Sequence, residues 1–287
     1  MATVVIPGGR KAADTLARRG RDLRLFLDDL GRQMAFYAAA LAWMPRAVTR
    51  YRGETFRLLG EVALGRGALA TFGGSFGVVV AMSFFTGIEV GLQGYEGLDQ
   101  IGASALTGFI SAYFNTREIS PLVAGVALSA TVGCGFTAQL GAMRISEEID
   151  ALQVMAVRPI PFLVASRVLA GLVAVVPLYF VGLLASYLST RTVVTTVFGQ
   201  SAGTYDHYFH LFLPPGDIGW SVFKVLVFAT LVILIHCWYG YSARGGPAGV
   251  GVAVGRAVRL AIVVVVVVDF LLSMAIWGST TTVRVAG

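Results

Sequence analysis

The chain has 287 residues, 56% of them hydrophobic and 13% charged, where a soluble domain carries about 25% charged residues. Its mean hydropathy is +0.76, and several charge-free apolar runs reach about 20 residues, the length that crosses a hydrocarbon core of roughly 30 Å. This excludes a soluble globule and points to an all-α integral membrane protein. The two cysteines, Cys134 and Cys237, fall in or beside apolar segments and read as small hydrophobes rather than a disulfide or metal pair.

The basic start, MATVVIPGGRKAADTLARRGRDLR, runs into no short apolar core with a cleavage site, so it does not read as a cleaved signal peptide. Residues 1–60 are expected to hold a cytoplasmic N-terminus and an interfacial helix. Phe26, Leu30, Met34, Tyr37, Leu41, Met44 and Val48 recur every three or four residues, as on one helix face. The apolar part, 34–44, is too short to cross, and arginines 46, 50, 52 and 57 follow it. The pattern fits a helix lying in the cytoplasmic interface among anionic headgroups; an extra packing helix in the bundle is the alternative.

Apolar runs then lie at about 67–88, 101–137, 168–188, 220–241 and 260–278. The second is too long for one straight span and is interrupted by Asn115, Arg117, Glu118 and Pro121, so it reads as one broken helix or as two spans. Basic residues decide the count, because short cytoplasmic loops carry the positive excess. Five spans with the N-terminus inside put 18 of the 22 basic residues inside and two, Arg191 and Arg284, outside, with Arg117 and Lys224 within spans. Six spans would strand two basic loops on the wrong side. Five spans are therefore predicted, with the C-terminus outside.

Between spans two and three lies MRISEEIDALQVMAVRP (143–159), a charged island with Arg144, Glu147, Glu148 and Asp150. Ile145, Ile149, Leu152 and Met155 or Ala156 form an apolar stripe at helical spacing, and Pro159 and Pro161 stop the helix. Acids on that side do not suit a negative leaflet, so the helix at 144–157 reads as a docking element for a cytosolic protein, against the plainer reading of a solvated loop helix. The outside segment, about 189–219, holds Asp206, His207, His210 and Asp217; two histidines without a clear third ligand read as polar loop residues rather than a metal site. GVGVAVG (249–255) lacks the dinucleotide fingerprint and reads as a flexible cytoplasmic loop.

The chemistry is that of a non-catalytic subunit. The two lysines, Lys11 and Lys224, do not follow a glycine, so no P-loop is possible and ATP chemistry would need another chain. No Ser/His/Asp or HExxH arrangement occurs. Four charges remain in apolar spans: Arg117, Glu118, Lys224 and Asp269. Each costs roughly 2.5–3.5 kcal/mol at a helix centre, so each is expected to face a partner or a cavity. Lys224 and Asp269 lie at matching depths and are candidates for a pair.

The run EISPLVAGVALSATVGCGFTAQLGAMRISEEIDALQVMAVRPIPFLVASRVLA (118–170) resembles the signature of the MlaE/YrbE permease family. Glu118, Pro121, Gly133, Leu140, Gly141, Met143, Arg144, Glu147, Ile149, Asp150, Ala151, Leu152, Met155, Pro159 and Arg167 match it, as does LQGY from Leu92 to Tyr95. The likeness covers about residues 50–280, and makes 61–287 the permease domain. Three positions depart: Thr131 at or near the family's arginine, Gln139 for its acid, and Ala156 for its glycine. The resemblance implies a lipid or fatty-acid permease working with MCE-domain proteins and a cytosolic ABC ATPase that binds the ATP, with no cofactor in this chain and no nucleic acid partner. It implies ATPase docking through Arg144, Glu147, Glu148, Ile149, Asp150 and Leu152, and a substrate cavity at Leu92, Tyr95, Arg117, Glu118, Lys224 and Asp269. GQSAGTYDHYFHLFL (199–213) is most similar to the second YrbE paralogue of actinobacterial Mce systems, which implies a heterodimer in the plasma membrane. A non-conducting scaffold for the MCE assembly is the rival reading.

Overall fold

The computed structural model describes residues 8–64 and 74–278; the start of the first apolar run (67–73) and Arg284 lie outside the described residues. The protein is an all-α membrane protein. Nine helices occur among the described residues: α1 Gly8–Arg50, α2 Arg52–Leu64, α3 Ser75–Asp99, α4 Ser104–Ile145, α5 Glu148–Val154, α6 Ile160–Thr196, α7 Ala202–Leu211, α8 Pro215–Tyr241 and α9 Gly246–Trp277. Five of them, α3, α4, α6, α8 and α9, are long and apolar enough to cross a membrane.

The long second run is one helix. Two π-helical stretches, Ser111–Ile119 and Ser129–Gly133, take up the strain, the first ending just before Ser120 and Pro121. A proline lacks an N–H and crowds the preceding turn, and widened turns let the helix continue past it. The widened turn also carries buried polar groups to partners on α6. Asn115 donates to Thr190 Oγ1 at 3.0 Å, and Thr116 Oγ1 meets the Tyr187 hydroxyl at 2.5 Å.

The core lies along α6 and α8, where Tyr179, Phe228, Val232 and Ile233 are buried. Helix α3 packs on α6 through small residues. Thr190 Oγ1 donates to the Gly87 carbonyl at 2.7 Å, and a Cβ at Gly87 would stand 2.5 Å from the Ser186 carbonyl. Only glycine permits that approach, the packing mode that replaces hydrophobic sorting inside a membrane. Helix α9 buries Ala253, Ala257, Ala261, Val265 and Asp269, every fourth residue, and leaves Val252, Val263, Val266 and Val267 exposed.

Two sequence expectations shift. GVGVAVG lies inside α9 and is helical, because Gly245 and Gly246, at φ 88° and 70°, already make the turn before it. Helix α1 buries Gln33, Phe36, Ala40 and Ala47, with Phe36 against Trp238 and Tyr241 at 5.3 and 5.4 Å. That face is rotated from the expected stripe: Leu30, Met34, Leu41 and Val48 are exposed, Tyr37 and Met44 pack on the core, and Phe26 lies outside the described side chains. The helix therefore packs on the bundle and keeps a second apolar flank outward.

Candidate functional site

Three of the expected intramembrane side chains, Glu118, Lys224 and Asp269, meet, together with the backbone carbonyl of Arg117. Helix α8 carries Lys224 on its tenth position, α9 carries Asp269 eight residues before its end, and α4 carries Arg117 and Glu118 on its first π stretch. Both α8 and α9 bring their residues about 13 Å in from the same end of the bundle. Lys224 is fully buried. Its Nζ lies 2.7 Å from Asp269 Oδ1 and 3.2 Å from Glu118 Oε2, and donates to the Ser273 hydroxyl at 2.7 Å and the Arg117 carbonyl at 2.6 Å. Ser273 Oγ donates to Glu118 Oε2 at 3.0 Å, closing the ring. The Glu118 side chain remains 35% exposed, so one face of the cluster is reachable.

Arg117 points the other way. Its guanidinium pairs with Asp217 at 2.6 Å, over the Tyr113 and Trp277 rings at 4.0 and 5.1 Å, and Trp277 Nε1 donates to Asp217 Oδ1 at 3.2 Å. Asp217 was expected in the outside segment; it opens α8, where Pro215 begins the helix, and an acid in the first turn suits the helix dipole. Ser273 and Trp277 were not singled out from sequence, and Asp217 was read only as a polar residue of the outside segment, since nothing in their spacing marks them. The adjacent α7 is tied to α6 by Arg191 and Asp206 at 2.8 Å, and this hydrogen-bonded guanidinium holds the Asp206 carboxyl below its ordinary range. His210 Nδ1 lies 2.7 Å from the Asp206 carbonyl and His207 stacks edge-on to Tyr208; no group of three metal-ligating side chains occurs among the described residues.

Beside Glu118, an apolar groove of about 440 Å³ runs between α3 and α4, lined by Val90, Gly94, Ile110, Phe114 and Ile119 with Glu89 and Gln93. Glu89, which accepts a hydrogen bond from Gln93, is an exposed carboxylate within a span. It escaped the sequence reading because the first run was ended at residue 88. Of the LQGY residues, Gln93 and Gly94 line the groove, whereas Tyr95 stacks on Phe198 at 4.1 Å and Leu92 is half-buried and outside the lining. A second buried polar group went unnoticed in the run VILIHCW. His236 is fully buried, 3.0 Å from Ser129 Oγ and 2.8 Å from Thr137 Oγ1, so it links α8 to both sides of the second π stretch. An ionisable residue in an apolar run was the available signal.

At the opposite end, the docking candidate is a shorter helix than expected, and the middle of its stripe, Ile149 and Leu152, faces inward while Ile145, Met155 and Ala156 are exposed. Ile149 is fully buried in the chain's own core and Leu152 packs against it, so the bundle already occupies the face expected to meet a partner. The outward surface is Glu147, Glu148, Asp150 and the apolar pair Val154 and Met155, which are 88% and 64% exposed. Arg144 pairs with Asp150 at 2.8 Å and Ser146 Oγ donates to Glu148 at 2.8 Å, fixing the helix start. Glu147 and Ala156, at φ 59° and 57°, hold left-handed backbone on either side of α5. At Ala156 that geometry is the one a glycine adopts freely. Arg167, one of the positions that match the family signature, is buried in α6 and donates to the Leu163 carbonyl at 2.7 Å and to Gln139 at 3.3 Å.

The model of the family Permease MlaE matches residues 64–275. Protein TRIGALACTOSYLDIACYLGLYCEROL 1, chloroplastic, of Arabidopsis thaliana is 30% identical over 199 residues, 69% of this chain; the match spans only 57% of that protein's own length. A probable ABC transporter permease protein of Rickettsia prowazekii (strain Madrid E) is 28% identical over 69% of this chain and 77% of its own length. A probable ABC transporter permease protein of Synechocystis sp. (strain ATCC 27184 / PCC 6803 / Kazusa) is 28% identical over 72% of this chain and 78% of its own. With five membrane-crossing helices and a polar cluster buried between three of them, the chain belongs to the MlaE permease family.

Proposed function

We propose that this permease is the membrane subunit of an MCE-associated ABC transporter for lipids or fatty-acid-like molecules. It would sit in the plasma membrane with α5 facing the cytosol and the Lys224 cluster in the outer half. The observation that carries the reading is the juxtaposition of that cluster with the groove: Glu118 is held by Lys224 yet partly exposed, next to Ile119 on the groove wall. Acyl chains would occupy the apolar wall, and a polar headgroup would meet Glu118 and Glu89. The excess of basic residues at the α5 end supports the orientation. Energy would enter through α5, with Val154 and Met155 entering a groove of the ATPase and the acids meeting basic groups around it. The partner list from the resemblance stays part of this proposal: a paralogous permease, the ATPase that binds ATP, and MCE-domain proteins.

The assembled complex tests both halves. Glu118→Gln should lower co-purifying lipid, measured by mass spectrometry, while the complex stays intact; unchanged lipid content and transport would sink the cavity assignment. Val154→Asp with Met155→Asp should release the ATPase without loss of the membrane part. Full retention of the ATPase would show that α5 is not the docking element.

A further inference from the structure

A cavity of about 530 Å³ lies between α1, the last turn of α8 and the first turns of α9, at the α5 end of the bundle. Its wall is basic. Arg32 comes from α1, Arg244 from the turn after α8 and Arg256 from α9, with Trp238 and Ser242 on the α8 side. The one carboxylate in the wall, Asp29, is engaged by Arg32 at 3.3 Å. Arg244 and Arg256 have no ion-pair partner among the described residues.

The geometry that assembles this wall is specific. Gly249, Val252, Ala253 and Arg256 line the cavity at the i, i+3, i+4, i+7 spacing of one helix face. A Cβ at Gly249 would stand 2.8 Å from the Arg244 carbonyl carbon, so the turn folds hard against the start of α9 and keeps Arg244 there. No side chain caps that start, which leaves its first N–H groups and the positive end of the helix dipole beside the arginines. Guanidinium groups and a helix N-terminus together select phosphate-type anions. A soluble anion would use the arginines alone. Here Trp238 and Val252 add an aromatic and apolar floor at the level where a membrane helix ends, the depth at which headgroups and interfacial aromatics meet.

We propose that this cavity binds the phosphate headgroup of an anionic phospholipid, with Arg244 and Arg256 as its ligands and Trp238 against the glycerol region. Its placement in the cytosolic leaflet rests on the orientation proposed above; binding itself does not. The test is native mass spectrometry of the detergent-purified permease titrated with phosphatidylglycerol or phosphatidylcholine. The wild type should retain phosphatidylglycerol preferentially. Arg244→Gln with Arg256→Gln should weaken that retention roughly 30-fold, about fivefold for each arginine near a headgroup. Arg244→Lys with Arg256→Lys should stay within a few-fold of wild type, which separates lost charge from lost fold. Three results would overturn the proposal: equal retention of both lipids, equal weakening by Arg46→Gln with Arg50→Gln on α1, or displacement of the lipid by millimolar inorganic phosphate. The last would mark a site for a free anion.

Discussion

Helices α4 and α9 both cross the bundle, and they differ in what they hide. In its most apolar window α4 is 61% buried and α9 only 17%. Yet α9 carries the unbroken valine run, while α4 carries Asn115, Thr116, Arg117, Glu118, Ser129 and Thr137. In water the order would be reversed. With lipid as solvent, hydrophobicity no longer sorts inside from outside, and polar and small residues mark the protein-facing side.

Lys224 joins the two helices, and removing it should break the comparison most severely. Lys224→Met leaves Glu118 and Asp269 without their cation, a loss of about 3–5 kcal/mol for half of a buried pair. The double change Lys224→Met with Asp269→Asn should recover much of it, as seen in thermal unfolding of the purified protein. Strictly additive losses would show that the two residues act independently.

A milder probe sharpens the contrast within α9. Ala257→Leu or Ala261→Leu overfills a contact with no room and should cost about 1–3 kcal/mol, whereas Val266→Leu, on the exposed face, should stay within about 0.5 kcal/mol. Equal losses at 261 and 266 would mean that the two faces are not distinct. Ala156→Gly should stabilise slightly, by about 0.5–1 kcal/mol, because relief of left-handed strain exceeds the entropy a glycine adds to the unfolded chain. A fall in melting temperature would contradict it. The smallest effect concerns α7. The carboxyl of Asp206 is held below its ordinary value, so its pairing with Arg191 stabilises the folded state above the ordinary aspartate range and fades as pH falls through the lower folded value. Protection of the α7 amides from hydrogen exchange, taken relative to the intrinsic rate at each pH, should fall on acidification, and Asp206→Asn should flatten that dependence.

Much of this was legible in the sequence, and for a physical reason. Charge inside an apolar run is costly, so Arg117, Glu118, Lys224 and Asp269 announced themselves, and the Lys224–Asp269 pair followed from matching depth. The span count followed from apolar length. What stayed hidden depended on direction. Periodicity gave α5 a stripe but not its orientation, and the bundle took Ile149. Nothing separates Asp217 in a polar loop from Asp217 in a helical first turn until the chain folds. The π stretches are likewise silent in composition, although they send the neighbours Arg117 and Glu118 to different partners.

Considered mechanically, α5 is a short lever mounted on two preloaded joints. Glu147 and Ala156 each sit in backbone costing about 1–2 kcal/mol more than the right-handed form, and Ile149 between them serves as a seated fulcrum. Rotation of either joint to right-handed backbone releases that load, while lifting Ile149 from its seat resists. Val154 and Met155, near the lever's far end, are its exposed handle, and Ile149 is the seated point that holds it to the bundle between the end of α4 and the beginning of α6.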